Sequence, residues 1–102
     1  FAQGHASLIS STVSGNQTAG YTADGGGVYT YGNLTLTDST VSGNSTTGDF
    51  AYGGGIYAFG SVTLANSTIS GNSTSGSHSS GAGILSRSDV TLNQSTVTDN
   101  HV

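Results

Sequence analysis

The sequence has 102 residues, a formal net charge of −4 and only 6% charged residues, with a single basic side chain, Arg87. It contains no Cys, which excludes disulfides, Cys-ligated zinc and thiol catalysis. One basic residue cannot neutralise several phosphates, so a nucleic-acid-binding role is excluded, and the longest apolar run, 56–59, is too short for a membrane span.

Taken in chain order, the sequence repeats every 28 residues. The pattern Thr-Val-Ser-Gly-Asn at Thr12–Asn16 returns at Thr40–Asn44, with Ile for Val at Thr68–Asn72, and in degenerate form at Thr96–Asn100. The starting positions 12, 40, 68 and 96 are equally spaced, without insertion or deletion. Such strict internal repetition indicates a solenoid and not a disordered Gly-rich and Ser-rich linker.

Each repeat predicts three short strands, because apolar and small polar residues alternate with a period of two and never with a helical period. The first strand has two apolar residues around an outward Thr, as in Leu34–Leu36. The second is centred on an inward Val or Ile, as in Thr40–Ser42. The third follows a Gly-rich segment, as in Val28–Thr30, and Gly, Asn and Asp mark the turns between strands.

Three such strands cannot bury their own apolar residues, but a constant period allows each repeat to stack on the next. Leu8 would then lie in one column with Leu36, Leu64 and Leu92, with coils about 4.8 Å apart. The sequence therefore predicts an all-β parallel β-helix, or β-solenoid, of about 3.6 coils. We expect residues 1–102 to form a single β-solenoid segment, either part of a longer solenoid or the subunit of a stacking fibre.

The text GGGIY…SVTLANSTISGNS at Gly53–Ser73 resembles the right-handed parallel β-helix repeats of bacterial secreted and surface proteins. These include the pectate-lyase-like superfamily, autotransporter passengers and polymorphic outer-membrane-protein repeats. The resemblance extends over essentially the whole chain, and it implies a right-handed coil and an extracellular or bacterial cell-surface location. It does not imply one function, because related folds serve as lyases, adhesins and passive stalks.

A column of asparagines follows the second strand of each repeat, at Asn16, Asn44, Asn72 and Asn100. Such a column could be a ligand site. The interpretation we favour is a structural asparagine ladder, in which each side-chain amide bonds the next along the stack.

Aromatic residues form a stripe on the predicted outer face, with Tyr29 and Tyr57 in one column and Tyr31 and Phe59 two positions later. Exposed aligned rings can stack on sugars or bind a partner, so these four residues are the candidate ligand-binding site. The alternative is that the variable segments 19–24, 47–52 and 75–80 fold over the rings as a lid.

No catalytic constellation is visible, and we expect no enzymatic activity. All five Asp and all three His fall in separate columns among their own kind, which predicts neither a paired-carboxylate site nor a metal site. The Gly-rich segments have no following Lys, as a phosphate-binding loop requires. We therefore expect no catalytic residue, metal or cofactor.

An outward hydroxyl face forms a further candidate surface, with pairs such as Thr12 and Ser14 or Thr40 and Ser42. Flat Thr-rich arrays of this kind resemble those of ice-binding solenoids, although Ser lacks the methyl group in three of the four pairs.

The sequence as a whole predicts a secreted structural or adhesive β-helix: a rigid surface rod, adhesin or filament building block that assembles by end-to-end strand stacking. Its expected partners are copies of itself or adjoining coils of a longer chain, and surface glycans. The alternatives are a carbohydrate-binding module that uses the aromatic stripe and an ice-binding solenoid.

Overall fold

The computed structural model describes residues 1–102 as an all-β solenoid without any helix. Its strands are very short, three or four residues each. In chain order they are β1 Ala6–Ile9, β2 Thr12–Ser14, β3 Gln17–Ala19, β4 Val28–Thr30, β5 Leu34–Thr37, β6 Thr40–Ser42, β7 Ser45–Thr47, β8 Ile56–Ala58, β9 Val62–Ala65, β10 Thr68–Ser70, β11 Ser73–Ser75, β12 Ile84–Ser86, β13 Val90–Asn93 and β14 Thr96–Thr98.

The strands form four parallel sheets along the solenoid axis, ordered β1-β5-β9-β13, β2-β6-β10-β14, β3-β7-β11 and β4-β8-β12. Every pair joins residues 28 positions apart, as Leu8 with Leu36 and Val41 with Ile69. The predicted stacking is therefore confirmed. The Cα extents are 32 × 26 × 19 Å, and the shortest matches about four layers at the 4.8 Å spacing of paired strands.

The three strands predicted in each coil are all present, and the structure adds a further short strand directly after the asparagine column. This additional strand comprises β3, β7 and β11, whose residues are polar, as in Ser45–Thr47. Only its central Thr is buried, as at Thr46 and Thr74. Pairing with the layers above and below holds this segment extended, because its composition alone gives no apolar alternation.

The core is a stack of aliphatic columns between the sheets. Its fully buried members are Leu34, Leu36, Val41, Ile56, Ala58, Val62, Leu64 and Ile69. The same columns are open at the C-terminal coil, where Val90 is 42%, Leu92 44% and Val97 43% exposed. Burial therefore depends on having a neighbouring layer on each side, as expected of a quasi-one-dimensional fold.

Two kinds of backbone constraint shape the coil. The turn between the first two strands places one residue of each coil in the left-handed region, with φ between 48° and 50°: Ser10, Asp38, Asn66 and Gln94. At Gly54 the backbone passes so close to the next layer that a Cβ would collide with the carbonyl groups of Ser73 and Ala82. The Gly-rich segments are thus required by close backbone approach.

The variable segments form layers of the solenoid, and Tyr52 at the end of one of them also packs against the aromatic stripe. Thr22 N donates to Asp49 O at 3.1 Å, and Phe50 N donates to Ser77 O at 2.9 Å. The Tyr52 ring lies 6.1 Å from that of Tyr57.

Candidate functional site

The structure brings the four asparagines into one continuous ladder. In each interior step, an Asn Oδ1 accepts both the backbone N–H and the Nδ2–H of the Asn in the preceding coil, as Asn72 does from Asn44 at 3.0 Å for both bonds. The Nδ2 of Asn44 also donates to the Val13 carbonyl at 3.0 Å. Asn44 and Asn72 are completely buried. Their amides have therefore no free capacity for a ligand.

A serine ladder that sequence reasoning missed runs parallel to the asparagine ladder. It comprises Ser11, Ser39, Ser67 and Ser95. The backbone N–H of each Ser donates to the Oγ of the Ser in the next coil, as from Ser39 to Ser67 at 3.1 Å. Each Oγ in turn donates to a carbonyl two residues earlier, as from Ser39 to Thr37 at 2.8 Å. The signal was present as a Ser-Thr pair at the same position of every repeat.

The four aromatic residues of the candidate ligand-binding site lie together in two adjacent columns. The rings of Tyr29 and Tyr57 are stacked, with centroids 5.3 Å apart and planes inclined by 12°. Those of Tyr31 and Phe59 are 4.8 Å apart and inclined by 33°. Phe1 caps both columns at the N-terminal end, 5.1 Å from Tyr29 and 5.8 Å from Tyr31.

Arg87 completes the second column, a position that the sequence analysis overlooked. It follows Phe59 by 28 residues, just as Phe59 follows Tyr31. Its Cζ lies 4.5 Å from the Phe59 ring centroid, and its Nε donates to the Tyr57 hydroxyl at 3.1 Å. The only basic side chain of the protein thus extends the aromatic stack through a cation–π contact.

The exposure of the stripe is uneven. Tyr57 is only 2% exposed, whereas Tyr31 is 49% exposed. Because the rings stack along the solenoid axis, their faces are covered by one another and, at Phe59, by Arg87. The stripe therefore presents mainly ring edges to solvent, whereas a sugar stacks on a ring face.

A second aromatic stack lies in the variable segments. Phe50 and His78 are parallel, with centroids 4.8 Å apart and an angle of 4°, and Tyr21 meets Phe50 edge-on at 5.5 Å. Phe50 and His78 occupy one column of residues with positive φ. Here too, residues that lie 28 positions apart stack along the solenoid axis, although their identities differ.

Two ionisable groups near the stripe have shifted pKa values. Partial burial raises the pKa of the Asp24 carboxyl above its usual 3.8, although the Tyr52 N–H that it accepts and the charge of Arg87 act in the opposite direction. Burial, reinforced by the neighbouring Tyr31, raises the pKa of the Tyr29 hydroxyl.

The remaining chemistry-bearing residues are dispersed. No three His or Asp residues lie close enough together to hold a metal ion, and the surface has no enclosed cavity. The hydroxyl pairs such as Thr40 and Ser42 lie on the outward side of the sheet β2-β6-β10-β14. No helix long and apolar enough to cross a membrane is present.

The uninterrupted parallel layers define the protein as a β-solenoid in which side-chain ladders run along the axis. Comparison with protein families matches residues 2–102 to the right-handed beta helix region. The chain therefore belongs to the right-handed β-helix family, which confirms the fold and the handedness that the repeat text implied. Neither a curated protein nor a solved structure matches the sequence.

Proposed function

We propose that this chain is a structural element: a rigid β-helical rod, extended at its ends by further stacked coils, in an extracellular or cell-surface filament or adhesin. β-helix domains are typical of extracellular and surface proteins, and the Cys-free, weakly charged sequence is compatible with that location. The proposed partners are other coils, either in copies of this chain or in a longer chain.

The observation that carries the proposal is the axial direction of almost every polar network. Interior residues such as Asn44 and Ser39 form their hydrogen bonds with neighbouring layers, so these groups are not free to bind a substrate. Residues of a binding or catalytic site would converge laterally on one point. Axial ladders instead stabilise each added layer in the same way.

A non-enzymatic role also accords with the placement of ionisable groups, since the family includes both enzymes, such as pectate lyases, and non-enzymes. The Asp residues lie in different columns, and Arg87 is engaged by Phe59 and Tyr57. A polysaccharide lyase or hydrolase needs acidic and basic groups close together.

Negative-stain electron microscopy and solution scattering over a concentration series test the proposed rod. We expect particles that lengthen with concentration at a constant width of about three nanometres, together with a fibre reflection near the ~4.8 Å spacing of paired strands. A monodisperse globule at every concentration, with turnover of a polysaccharide, would contradict the structural role.

Carbohydrate binding is a second candidate, favoured by the 49% exposure of Tyr31 next to Phe59 and Arg87. Glycan-array binding that is lost in Tyr31→Ala and kept in Thr35→Ala would support it. Thr35 is the matched control because it is exposed in the same coil, outside the stripe. If the unmodified protein binds no glycan, the aromatic stripe has a packing role alone.

A further inference from the structure

The Asn-X-Ser/Thr sequence that defines an N-glycosylation acceptor occurs six times in the chain, beginning at Asn16, Asn33, Asn44, Asn66, Asn72 and Asn93. We propose that the fold makes one of them, Asn66, the acceptor of an N-linked sugar supplied by a glycosyl diphosphate. This inference rests on the proposed extracellular role, because such acceptors function on the surface of secreted proteins.

Three of the six acceptor asparagines belong to the asparagine ladder. Asn44 and Asn72 are completely buried. The Nδ2 of Asn44 uses both hydrogens, one toward Asn72 Oδ1 and one toward the Val13 carbonyl, and the Nδ2 of Asn16 donates to Asn44 Oδ1 and to the Ser14 carbonyl. A transferred sugar replaces one Nδ2 hydrogen, so glycosylation at any of these positions would break the ladder.

In two further sequons, one of the two defining groups is engaged. The amide and the hydroxyl two residues later together define the sequon, so a transferase must reach both. The Oδ1 of Asn33 accepts the Ser61 N–H at 2.9 Å. After Asn93, the Ser95 hydroxyl belongs to the serine ladder: it donates to the Asn93 carbonyl at 2.8 Å and accepts the Ser67 N–H at 3.0 Å.

Asn66 differs from the other five because both defining groups are free. The Asn66 amide and the Thr68 hydroxyl take part in none of the side-chain hydrogen bonds of the chain, Asn66 is exposed, and Thr68 is half-buried on the outward side of β10. Asn66 also occupies the left-handed turn between the first two strands of its coil, with φ of 49°. Asn adopts this conformation more readily than most residues, so the amide is held at a turn of the solenoid.

The exposure of Asn66 is lateral. The chain has a layer on each side of this turn, since the Asn66 N–H donates to the Asn93 carbonyl at 3.0 Å and the Asp38 N–H donates to the Ala65 carbonyl at 3.0 Å. A sugar on Nδ2 would therefore project sideways from the solenoid and leave the stacking of the coils undisturbed.

The reaction is a glycosyl transfer. The Nδ2 of Asn66 forms a bond to C1 of the sugar, while the bond between C1 and the diphosphate oxygen of the donor breaks. The diphosphate leaves with the electron pair of that bond, and the amide nitrogen gives one proton to a base of the transferase. The donor is a lipid-linked or a nucleotide-linked glycosyl diphosphate, because both present the same leaving group.

Two experiments with site-resolved peptide mass spectrometry test the assignment and distinguish the donors. In the first, the folded protein, made in bacteria without N-glycosylation enzymes, is incubated with UDP-glucose and a sugar-nucleotide-dependent N-glycosyltransferase. In the second, the protein is secreted from eukaryotic cells, where the donor is lipid-linked. We expect occupancy at Asn66 at least about tenfold above that at Asn44 and Asn72, since a transferase reaches the ladder only after local opening.

Variants of the hydroxyl position separate recognition of the sequon from a structural effect. Thr68→Val keeps the β-branched shape and should abolish modification of Asn66, whereas Thr68→Ser should retain it. Thr40→Val is the matched control, because Thr40 pairs with Thr68 in the same sheet but follows Asp38 and belongs to no sequon. It should leave the occupancy of Asn66 unchanged. Equal loss in Thr68→Val and Thr40→Val would overturn the assignment.

The outcomes also separate this inference from the proposed rod. A synthetic peptide of residues 62–70 is the positive control for the transferase. If the peptide is modified but Asn66 is unoccupied in both experiments, the assignment is wrong, and rods in the scattering series would still support the proposed function. Modification of Asn66 in a protein that remains a monodisperse globule would support the acceptor site and reject the rod.

Discussion

Two buried threonine hydroxyls, those of Thr46 and Thr74, have no hydrogen-bond partner. In the first coil, the equivalent hydroxyl of Thr18 donates to the Ala23 carbonyl at 2.9 Å. The two interior layers therefore carry the same Thr without the hydrogen bond that Thr18 makes. An unpaired buried hydroxyl costs free energy on folding, because it loses its bonds to water without replacement.

Thr46→Val should therefore stabilise the protein. The substitution keeps the β-branched shape and removes the unpaired oxygen, so we expect the free energy of unfolding to rise by about 1 kcal/mol in urea denaturation. Thr18→Val is the matched control and should lower it, because Thr18 gives up a hydrogen bond. An equal decrease in both variants would contradict the absence of a partner at Thr46.

Asp24 connects stability to pH. Its raised pKa means that the folded protein binds the carboxyl proton more tightly than the unfolded chain, so stability falls as pH rises through the interval above 3.8. Asp24→Asn retains an acceptor for the Tyr52 N–H without the charge. We expect this variant to have the higher Tm at pH 7 and the two proteins to converge well below pH 3.8; a constant difference across the pH range would contradict the assignment.

Among the polar columns, the asparagine ladder should contribute most to the free energy of unfolding. Asn44→Ala removes the acceptor of two Asn16 donors and the donor to Val13 O, all at a buried site. We expect a loss of roughly 3 kcal/mol in the free energy of unfolding, since several partners become unpaired. Asn16→Ala, at the exposed end of the ladder, should change it by less than about 1 kcal/mol.

Gly54 tests the close approach of neighbouring layers. Gly54→Ala places a methyl group against the backbone carbonyls of Ser73 and Ala82 in the next coil, which cannot move without breaking sheet pairing. We expect a loss of about 2 to 3 kcal/mol, measured by thermal or urea unfolding. Gly4→Ala is the control, because no atom lies within 4 Å of the position of its Cβ, and it should be nearly neutral.

The predicted strands and those observed differ for a physical reason. Columns such as Leu36 and Leu64 were evident in the sequence, because apolar alternation and a constant period specify both the strand and its register. Ser45–Thr47 carries no such alternation, and only pairing between layers makes it a strand. The burial of Tyr57 could not be predicted from its alternation either, since the rings of Tyr29, Tyr52 and Phe59 pack around it and Arg87 bonds its hydroxyl. The position of Arg87 in the aromatic column could have been found from its spacing alone.

For the whole molecule, stability should vary with the number of neighbouring layers. Leu64→Ala removes a fully buried side chain between two coils, and we expect a loss of about 3 kcal/mol. Leu92→Ala removes the same side chain at the open end, where it is 44% exposed, and in dilute solution should cost about 1 kcal/mol or less. Equal losses measured by urea denaturation would contradict a fold held together by neighbouring coils.

The exact 28-residue spacing of the columns has an evolutionary consequence. Duplication or deletion of 28 codons at any point in the gene keeps every inward side chain inward and every ladder continuous. Unequal recombination between repeats can therefore lengthen or shorten the encoded rod by whole coils, without a compensating point mutation elsewhere.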